Sequence, residues 1–263
     1  EYWNKVTTFN PTVSLASTDT NATLPAGSST SGGSKVLSLT LRTGDPDTGW
    51  TVTASGSTLL TSTTPNIKTF AASADRLLVL LPGETAAPGS GNGKVGSPLA
   101  LTAGNSYVVT VDVTDALWNR ANASVGITLS STNPFQNFPG QQTTSNGRTT
   151  ITIQLKSGEP STVTAHDSDV TGTNHTVYTT PSFTVLPNAG TKLQGLLPGE
   201  TAWPGNVNGK GGTVASQKVG VGFTLTVNGT DANWNVITND GFSRTVRLTL
   251  SDVNSVQPPT ASL

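Results

Sequence analysis

The sequence contains no cysteine and no methionine, and only 11% of its 263 residues are charged. Without cysteine, neither a disulfide framework nor a thiolate metal site can form. The net charge is −1, so the chain lacks the basic face that nucleic acids require, and charge gives no reason for binding to a membrane surface. No apolar run is long enough to cross a bilayer as a helix. We therefore expect neither nucleic-acid binding nor membrane insertion of this segment.

Helix signals are scarce, whereas strand signals are frequent. Residues 106–115 and residues 149–156 alternate between apolar and polar side chains, which is typical of half-buried antiparallel strands. Asn146-Gly147, just before the second stretch, is a hairpin-turn signal. The predicted outward face of the first strand comprises Val108, Thr110 and Asp112. The predicted core residues on the two strands are Tyr107, Val109, Val111, Val113, Ile151, Ile153 and Leu155.

The sequence repeats itself at a shift of 116 residues, from residue 82 to residue 198. The motif Pro-Gly-Glu-Thr-Ala occurs at 82–86 and 198–202, Asn-Gly-Lys at 92–94 and 208–210, and Thr-Asp-Ala-x-Trp-Asn at 114–119 and 230–235. A period of this size matches one small domain copied in tandem. Predicted strands recur about every 10–15 residues between Gly, Pro, Asn and Ser, which favours a β-sandwich of about seven strands. The repeated strands predict two further inward faces: Phe223, Leu225 and Val227, and Leu37, Leu39 and Leu41.

The phase of the repeat divides the chain into three segments. The head segment, residues 1–71, is predicted to be a partial module that lacks its two opening strands. The middle segment, 76–186, is a complete module, and the tail segment, 190–263, is the opening half of another. The short linkers 71–75 and 186–191 predict modules arranged nearly end to end.

Two interpretations of this phase stay open. In the first, the chain is an excerpt of a longer tandem array, which agrees with the absence of an initiator methionine. In the second, the chain is a subunit of a head-to-tail polymer, in which 190–263 of one copy completes 1–71 of the next.

The combination of Leu-Leu-Pro-Gly-Glu-Thr-Ala, the Gly-Lys loop and Thr-Asp-Ala-x-Trp-Asn resembles the tandem bacterial Ig-like modules of very large surface proteins and adhesins. The stretch Ser-Thr-Asp-Thr-Asn-Ala-Thr-Leu-Pro at 17–25 is similar to the segment that follows the Trp-Asn corner in such modules. The resemblance covers nearly the whole chain. It implies an all-β protein of tandem immunoglobulin-like sandwiches in an extracellular stalk, adhesin, surface layer or filament, and it supplies no catalytic residues to transfer.

Oxygen-bearing side chains at the ends of two repeated strands are candidate calcium ligands, because calcium at a module end would stiffen a tandem array. The candidates are Asp115, Asn119, Asp231 and Asn235, which Glu84 and Glu200 could join. The alternative is that these Asp and Asn side chains close turns through their own hydrogen bonds.

The aromatic residues and histidines offer few other candidates. Trp118 and Trp234 are expected to be core tryptophans, with sugar stacking as the alternative. Trp203 replaces Ala87 of the first copy and is a candidate interface residue in an exposed loop. The Gly-rich loops 89–94 and 205–210 are expected to be flexible turns, since a phosphate loop needs a helix behind it. We expect His166 and His175 to be surface histidines without partners.

These observations predict a structural part of a cell-surface or extracellular assembly rather than an enzyme, with no cofactor other than the candidate calcium. Its expected partners are other copies of itself or neighbouring modules of a longer chain, with surface glycans as a further candidate. The alternative function is that of carbohydrate-binding accessory modules of a secreted enzyme, which a row of exposed aromatic side chains on one sheet would favour.

Overall fold

The computed structural model describes residues 4–169, 172, 174–238, 244–256 and 258–263. The described residues form an all-β protein that contains strands in several small sheets and no helix. The strands of the head segment are β1 (Thr12–Ser17), β2 (Ser28–Ser29), β3 (Asp45–Trp50), β4 (Val52–Gly56), β5 (Leu59–Thr63) and β6 (Ile67–Thr69).

The middle segment contains the longest strands. They are β7 (Arg76–Leu80), β8 (Glu84–Ala86), β9 (Lys94–Gly96), β10 (Leu101–Thr102), β11 (Ser106–Thr114), β12 (Gly126–Ser131), β13 (Gln136–Asn137), β14 (Gln142–Thr143), β15 (Arg148–Leu155), β16 (Val163–Asp167), β17 (Tyr178–Thr179) and β18 (Val185–Leu186). The strands of the tail segment are β19 (Lys192–Leu196), β20 (Glu200–Ala202), β21 (Lys210–Gly212), β22 (Thr226–Thr230), β23 (Thr245–Val246) and β24 (Ala261–Ser262).

Two four-stranded antiparallel sheets of the middle segment contribute to one hydrophobic core. Their strand orders are β13-β15-β11-β7 and β14-β12-β16-β17. The strands β11 and β15 pair continuously from Ser106↔Gln154 to Asp112↔Arg148. Alternate residues of a strand share one face, and the buried residues come from both sheets and from neighbouring stretches that include the parallel pair β10–β18. They are Leu77, Val79, Leu81, Leu101, Ala103, Val109, Val111, Val113, Val125, Ile127, Ile151, Ile153, Leu155, Val163, Ala165, Phe183 and Val185.

The predicted inward faces of β11 and β15 are confirmed. Of the residues assigned to them, only Tyr107 is partly exposed, and it packs against the core. Asp112 lies outside that core, on the other face of β11 as predicted, but its side chain is buried rather than exposed. Arg148 covers it and binds it with two hydrogen bonds, from Nε to Oδ1 at 2.6 Å and from Nη2 to Oδ2 at 2.7 Å.

The head segment forms a sheet of order β2-β1-β4-β5 and a separate pair of β3 with β6. The strand expected around Leu37, Leu39 and Leu41 is absent: these residues are half-buried, and the stretch has only an isolated bridge between Thr40 and Thr23. The equivalent strand of the middle segment, β15, depends on pairing with β11. No equivalent of β11 lies beside the described head segment, so the alternating sequence has no ladder to join.

In the tail segment, β19 pairs with β22 from Lys192↔Thr230 to Leu196↔Thr226, which is the register of β7 with β11. The predicted inward position of Phe223 is wrong. This residue precedes β22 and is 50% exposed, because no second sheet covers it among the described residues. Leu225 and Val227 are half-buried.

Candidate functional site at the segment junctions

The repeated Thr-Asp-Ala-x-Trp-Asn motif forms a tight corner after β11. Asp115 N–H donates to the Asn119 carbonyl at 2.9 Å, and Trp118 takes a left-handed backbone conformation with φ of 67°. The Asp115 carboxylate stabilises the corner, because its Oδ1 accepts hydrogen bonds from Leu117 N–H at 2.8 Å and from Asn119 N–H at 2.9 Å. The predicted turn-closing role of this aspartate is therefore present in the structure.

The same corner ties the head segment to the middle segment. Asn119 Oδ1 accepts from Gly44 N–H at 2.8 Å, and Asn119 Nδ2 donates to the Arg42 carbonyl at 2.9 Å. Asp115 Oδ2 accepts from Ala72 N–H at 2.9 Å and from Asn119 Nδ2 at 3.0 Å. Both side chains are almost completely buried. We call this set of contacts the Asp–Asn clasp.

A second Asp–Asn clasp ties the middle segment to the tail segment in the same way. Asn235 Oδ1 accepts from Gly158 N–H at 2.6 Å, and Asn235 Nδ2 donates to the Lys156 carbonyl at 2.8 Å. Asp231 Oδ2 accepts from Asn188 N–H and from Asn235 Nδ2, both at 2.8 Å. Each contact has its counterpart at the first junction, so the geometry is a repeated feature of the chain.

The clasp geometry does not fit a calcium site. A carboxylate has about four lone-pair positions, and in Asp115 all four accept N–H donors. Asp231 is saturated in the same way, by Asn233 N–H, Asn235 N–H, Asn188 N–H and Asn235 Nδ2. Within the part of the chain that the structure describes, no three Asp, Glu or His side chains come together. Calcium binding stays a hypothesis that a metal titration tests.

The glutamates that were expected to join the candidate ligands face lysines instead. Glu84 Oε1 lies 2.6 Å from Lys94 Nζ, and both side chains are buried. Glu200 Oε1 lies 2.9 Å from Lys210 Nζ in a more exposed pair. In each repeat, the pair links the Pro-Gly-Glu-Thr turn to the Gly-Lys loop.

The Gly-rich loops, expected to be flexible turns, are junction contacts. A Cβ atom at Gly89 would clash with Thr43 Oγ1 of the head segment, and one at Gly205 would clash with Ser157 Oγ of the middle segment. Both glycines have positive φ, at 77° and 81°, a conformation that glycine adopts without strain. Ser157 Oγ also donates to the Pro204 carbonyl at 2.9 Å. The loops can approach the preceding segment only because they lack side chains at these points.

The stretch of the preceding segment that each clasp binds was not predicted from the sequence. Its residues are Arg42-Thr43-Gly44-Asp45 at the first junction and Lys156-Ser157-Gly158-Glu159 at the second. The two stretches are chemically alike at every position. This similarity can be read from the sequence, but at a shift of 114 residues instead of 116. Each stretch also directly follows a predicted strand, where it resembles an ordinary polar turn.

Trp203 lies at the second junction, as an interface residue would. Its ring packs edge-to-face against Phe135 of the middle segment, with 5.7 Å between centroids, and it remains 49% exposed. The equivalent positions at the first junction are Ala87 and Asn21, and there Asn21 Nδ2 donates to the Pro88 carbonyl at 3.2 Å. The two junctions therefore share the clasp and differ in the contacts around it.

The expected core position of Trp118 and Trp234 is wrong. Both rings are half-buried and lie outside the core cluster. Arg76 lies 5.0 Å from the centre of the Trp118 ring, and Lys192 lies 4.2 Å from that of Trp234. The physical reason is the left-handed backbone of the corner, which turns the ring away from the core and places it beside the Gly-Lys loop.

Both histidines have partners, contrary to expectation. His175 Nδ1 lies 2.7 Å from Asp167 Oδ2, and His166 Nε2 lies 2.8 Å from Ser130 Oγ. Burial raises the pKa of Asp167, but the hydrogen bonds from His175 and from Asp169 N–H outweigh it and bring that pKa below its ordinary value.

Asp19 is a buried carboxylate on the head side of the first junction. Burial raises its pKa, but hydrogen bonds from Thr43 N–H, Arg42 N–H, Thr43 Oγ1 and Asn21 N–H bring the pKa below its ordinary value. Its counterpart in the middle segment is Asn133, which contacts Ser157 in the same place. Asp19 thus supports the stretch from Arg42 to Gly44 that the clasp binds.

Among the described residues no helix is long and apolar enough to cross a membrane.

A cleft of about 540 Å³ lies beside the first clasp, where Phe70, Pro88, Trp118, Arg120 and Arg148 are among the residues that line it.

No protein-family model matches the sequence, and no curated protein matches it. Two solved structures are similar to the chain: the crystal structure of the S-layer protein rSbsC(31-844) and the structure of surface layer protein SbsC, domains 1-6. In both comparisons the identity is 12% and the TM-score is 0.29, with 100% of this chain and 29% of the other covered. The chain spans less than a third of the length of these structures.

Proposed function

We propose that the chain is a structural repeat region of an extracellular or cell-surface assembly, such as a stalk, adhesin, surface layer or filament. The observation that carries this proposal is the Asp–Asn clasp, which is built twice with the same contacts. Buried hydrogen bonds at each junction fix the orientation of one unit relative to the next. A fixed orientation suits a protein whose role is to span a distance or to hold a spacing.

The physics of the clasp supports rigid coupling. Domains joined by short linkers move relative to one another unless their interface prevents it. Here the buried amide of Asn119 or Asn235 donates to a carbonyl and accepts from an N–H of the preceding segment, so rotation about the junction would break both bonds. A buried polar group without a partner costs about 1–3 kcal/mol. The clasp therefore favours one arrangement over the many others that a free linker allows.

The units themselves are proposed to be Ig-like β-sandwiches. In the middle segment, two four-stranded antiparallel sheets bury one shared core, and residues 76–186 are close to the usual size of such a domain, about 100 residues. We propose no catalytic role and no cofactor, and the proposed partners are neighbouring modules or other copies of the chain.

The carbohydrate-binding alternative receives less support. It requires aromatic rings with a free face in a row on one sheet. The rings of Trp118 and Trp234 each have a cation beside them, and the ring of Trp203 packs on Phe135 across a junction.

Small-angle scattering of the 263-residue chain tests the proposal. A compact globule of this length has a radius of gyration of about 18 Å, and we expect a clearly larger value with the profile of a stiff rod. In the double variant Asn119→Ala/Asn235→Ala, the profile should change to that of flexibly linked units. The exposed Asn122, replaced by alanine, is the matched control. A compact envelope for the unmodified chain would refute the proposed function.

A further inference from the structure

A groove of about 350 Å³ crosses the second junction. One of its walls belongs to the middle segment and includes Phe135, Gln136 and Lys156. The other wall is the Gly-rich loop of the tail segment and includes Asn206 and Val207. Sites for small ligands have volumes of about 300–1,000 Å³, so the groove has room for a small ligand and not for a protein domain.

The junction does not need the apolar side chains at this groove. Trp203 packs edge-to-face on Phe135 and is 49% exposed, and Val207 is 86% exposed. At the first junction the equivalent positions carry small or polar residues, which are Asn21, Ala87 and Gly91. The clasp there nevertheless makes the same contacts. Rigid coupling therefore does not explain why two aromatic rings and an exposed valine lie at the second junction.

Polar side chains at the groove keep hydrogen-bonding capacity for a ligand. Within the described ranges of the chain, Trp203 Nε1 and the side-chain amide of Gln136 have no hydrogen-bond partner, and the Lys156 ammonium has no ion-pair partner. Among the described residues that line the groove, Lys156 is also the only charged one. A lysine ammonium is a compact positive charge, so the groove is complementary to an anionic group.

Hydrogen bonds fix the backbone of both walls. Lys156 N–H donates to the Phe135 carbonyl at 2.8 Å, and the Lys156 carbonyl accepts from Asn235 Nδ2 of the clasp at 2.8 Å. On the tail side, Trp234 Nε1 donates to the Val207 carbonyl at 3.1 Å. A ligand thus meets a groove that is already formed, which lowers the entropic cost of binding.

We propose that this groove binds a sugar that carries a carboxylate, as one unit of an acidic glycan. The apolar C–H face of the sugar packs on the exposed part of the Trp203 ring. Its hydroxyl groups bond to the indole N–H and to the Gln136 amide, and its carboxylate makes a charge-assisted bond with Lys156. The inference goes beyond the proposed function, because it adds one binding site that a junction builds. It differs from an accessory carbohydrate-binding module, which presents a row of rings on one sheet.

Binding of the sugar and closure of the junction are linked, because the two walls belong to different segments. A ligand that binds the closed junction stabilises it, and the closed junction favours the ligand by the same factor. The sugar should therefore slow amide hydrogen exchange at Gly158, whose N–H donates to Asn235 Oδ1. Exchange at Gly44, which reports on the first junction, should stay the same.

Titration of the 263-residue chain with tetragalacturonate, followed by backbone amide NMR signals, tests the site. The methyl-esterified tetrasaccharide is the matched neutral probe. Trp203→Ala should weaken binding about threefold to tenfold, the strength of one aromatic contact, and the fold should tolerate it because Ala87 is the equivalent residue. Lys156→Gln should weaken binding of the acid roughly twofold to fivefold, as for an exposed ion pair, and leave binding of the ester unchanged. Lys68→Gln, at an exposed lysine of the head segment, is the charge control.

Variants of the two clasps test whether the junction builds the site. Asn235→Ala should weaken binding of tetragalacturonate, whereas Asn119→Ala, at the first junction, should not. No saturable binding, equal affinity for the acid and its ester, or full affinity in Trp203→Ala would overturn the inference. Equally tight binding of a tetraglutamate peptide would also overturn it, because the groove would then recognise charge alone. Rod-like scattering without sugar binding would leave the proposed function standing, and a compact envelope with sugar binding intact would remove only the proposed function.

Discussion

Replacement of Asn119 by alanine should release the head segment from the middle segment without unfolding either. The variant removes three side-chain hydrogen bonds, at 2.8, 2.9 and 3.0 Å. It leaves Gly44 N–H, the Arg42 carbonyl and one Asp115 lone pair without their partner. A typical hydrogen bond contributes about 1 kcal/mol net, and a buried group left unpaired costs about 1–3 kcal/mol. We expect the junction to lose about 2–3 kcal/mol, since water replaces part of the lost bonding.

The rate of amide hydrogen exchange at Gly44 measures this loss of junction stability directly, because the Gly44 N–H donates to Asn119 Oδ1. A loss of 2–3 kcal/mol corresponds to roughly 30- to 150-fold faster exchange, at about 1.4 kcal/mol per factor of ten. Asn235→Ala should accelerate Gly158 and leave Gly44 unchanged, and Asn122→Ala should change neither. If Gly44 exchanged at the same rate in the natural chain and in Asn119→Ala, the clasp would not be what holds the junction.

Three further outcomes follow from single sites. Ile153→Ala should lower the free energy of unfolding by about 2–5 kcal/mol, whereas Val108→Ala, at a 56% exposed position on the paired strand, should change it little in denaturant titrations. The depressed pKa of Asp19 makes its contribution to stability complete above the unfolded value of about 3.9. That contribution is lost as the pH falls through the lower folded pKa, and Asp19→Asn should flatten this acid limb of melting temperature against pH. Because the carboxylates of Asp115 and Asp231 are saturated by N–H donors, melting curves in calcium and in chelator should coincide, and a higher midpoint in calcium would show that a site forms.

The sequence was sufficient to predict the all-β fold and the core strands of the middle segment. Alternation depends only on the two-residue period of a strand, so the inward faces around Val109 and Ile153 could be read directly. Residues 37–41 alternate with the same period but form no ladder with a neighbouring strand. Pattern alone cannot tell whether a partner strand lies alongside, and this is why that prediction failed.

The junction could be predicted only in part. The repeated Asp and Asn stood out, but their partners are mostly backbone groups of Arg42, Gly44 and Ala72. Backbone N–H and carbonyl groups carry no sequence signature, so the acceptor oxygens were interpreted as candidate cation ligands. Trp118 was misplaced for a related reason. A left-handed conformation at a bulky residue is uncommon, so the expected direction of its ring was wrong.

The two junctions combine contacts that are the same at both with contacts that differ. The clasp is the same at both, so it sets the geometry without distinguishing neighbours. Around it, Asn21 faces the loop that carries Ala87 at the first junction, whereas Phe135 contacts Trp203 at the second. Exchanging one partner would place Asn21 against Trp203, which desolvates an amide beside a ring, or Phe135 beside Ala87, which leaves a ring uncovered. Specificity is a difference between such pairings, so the surrounding contacts fit each junction's own two faces, while the clasp is common to both.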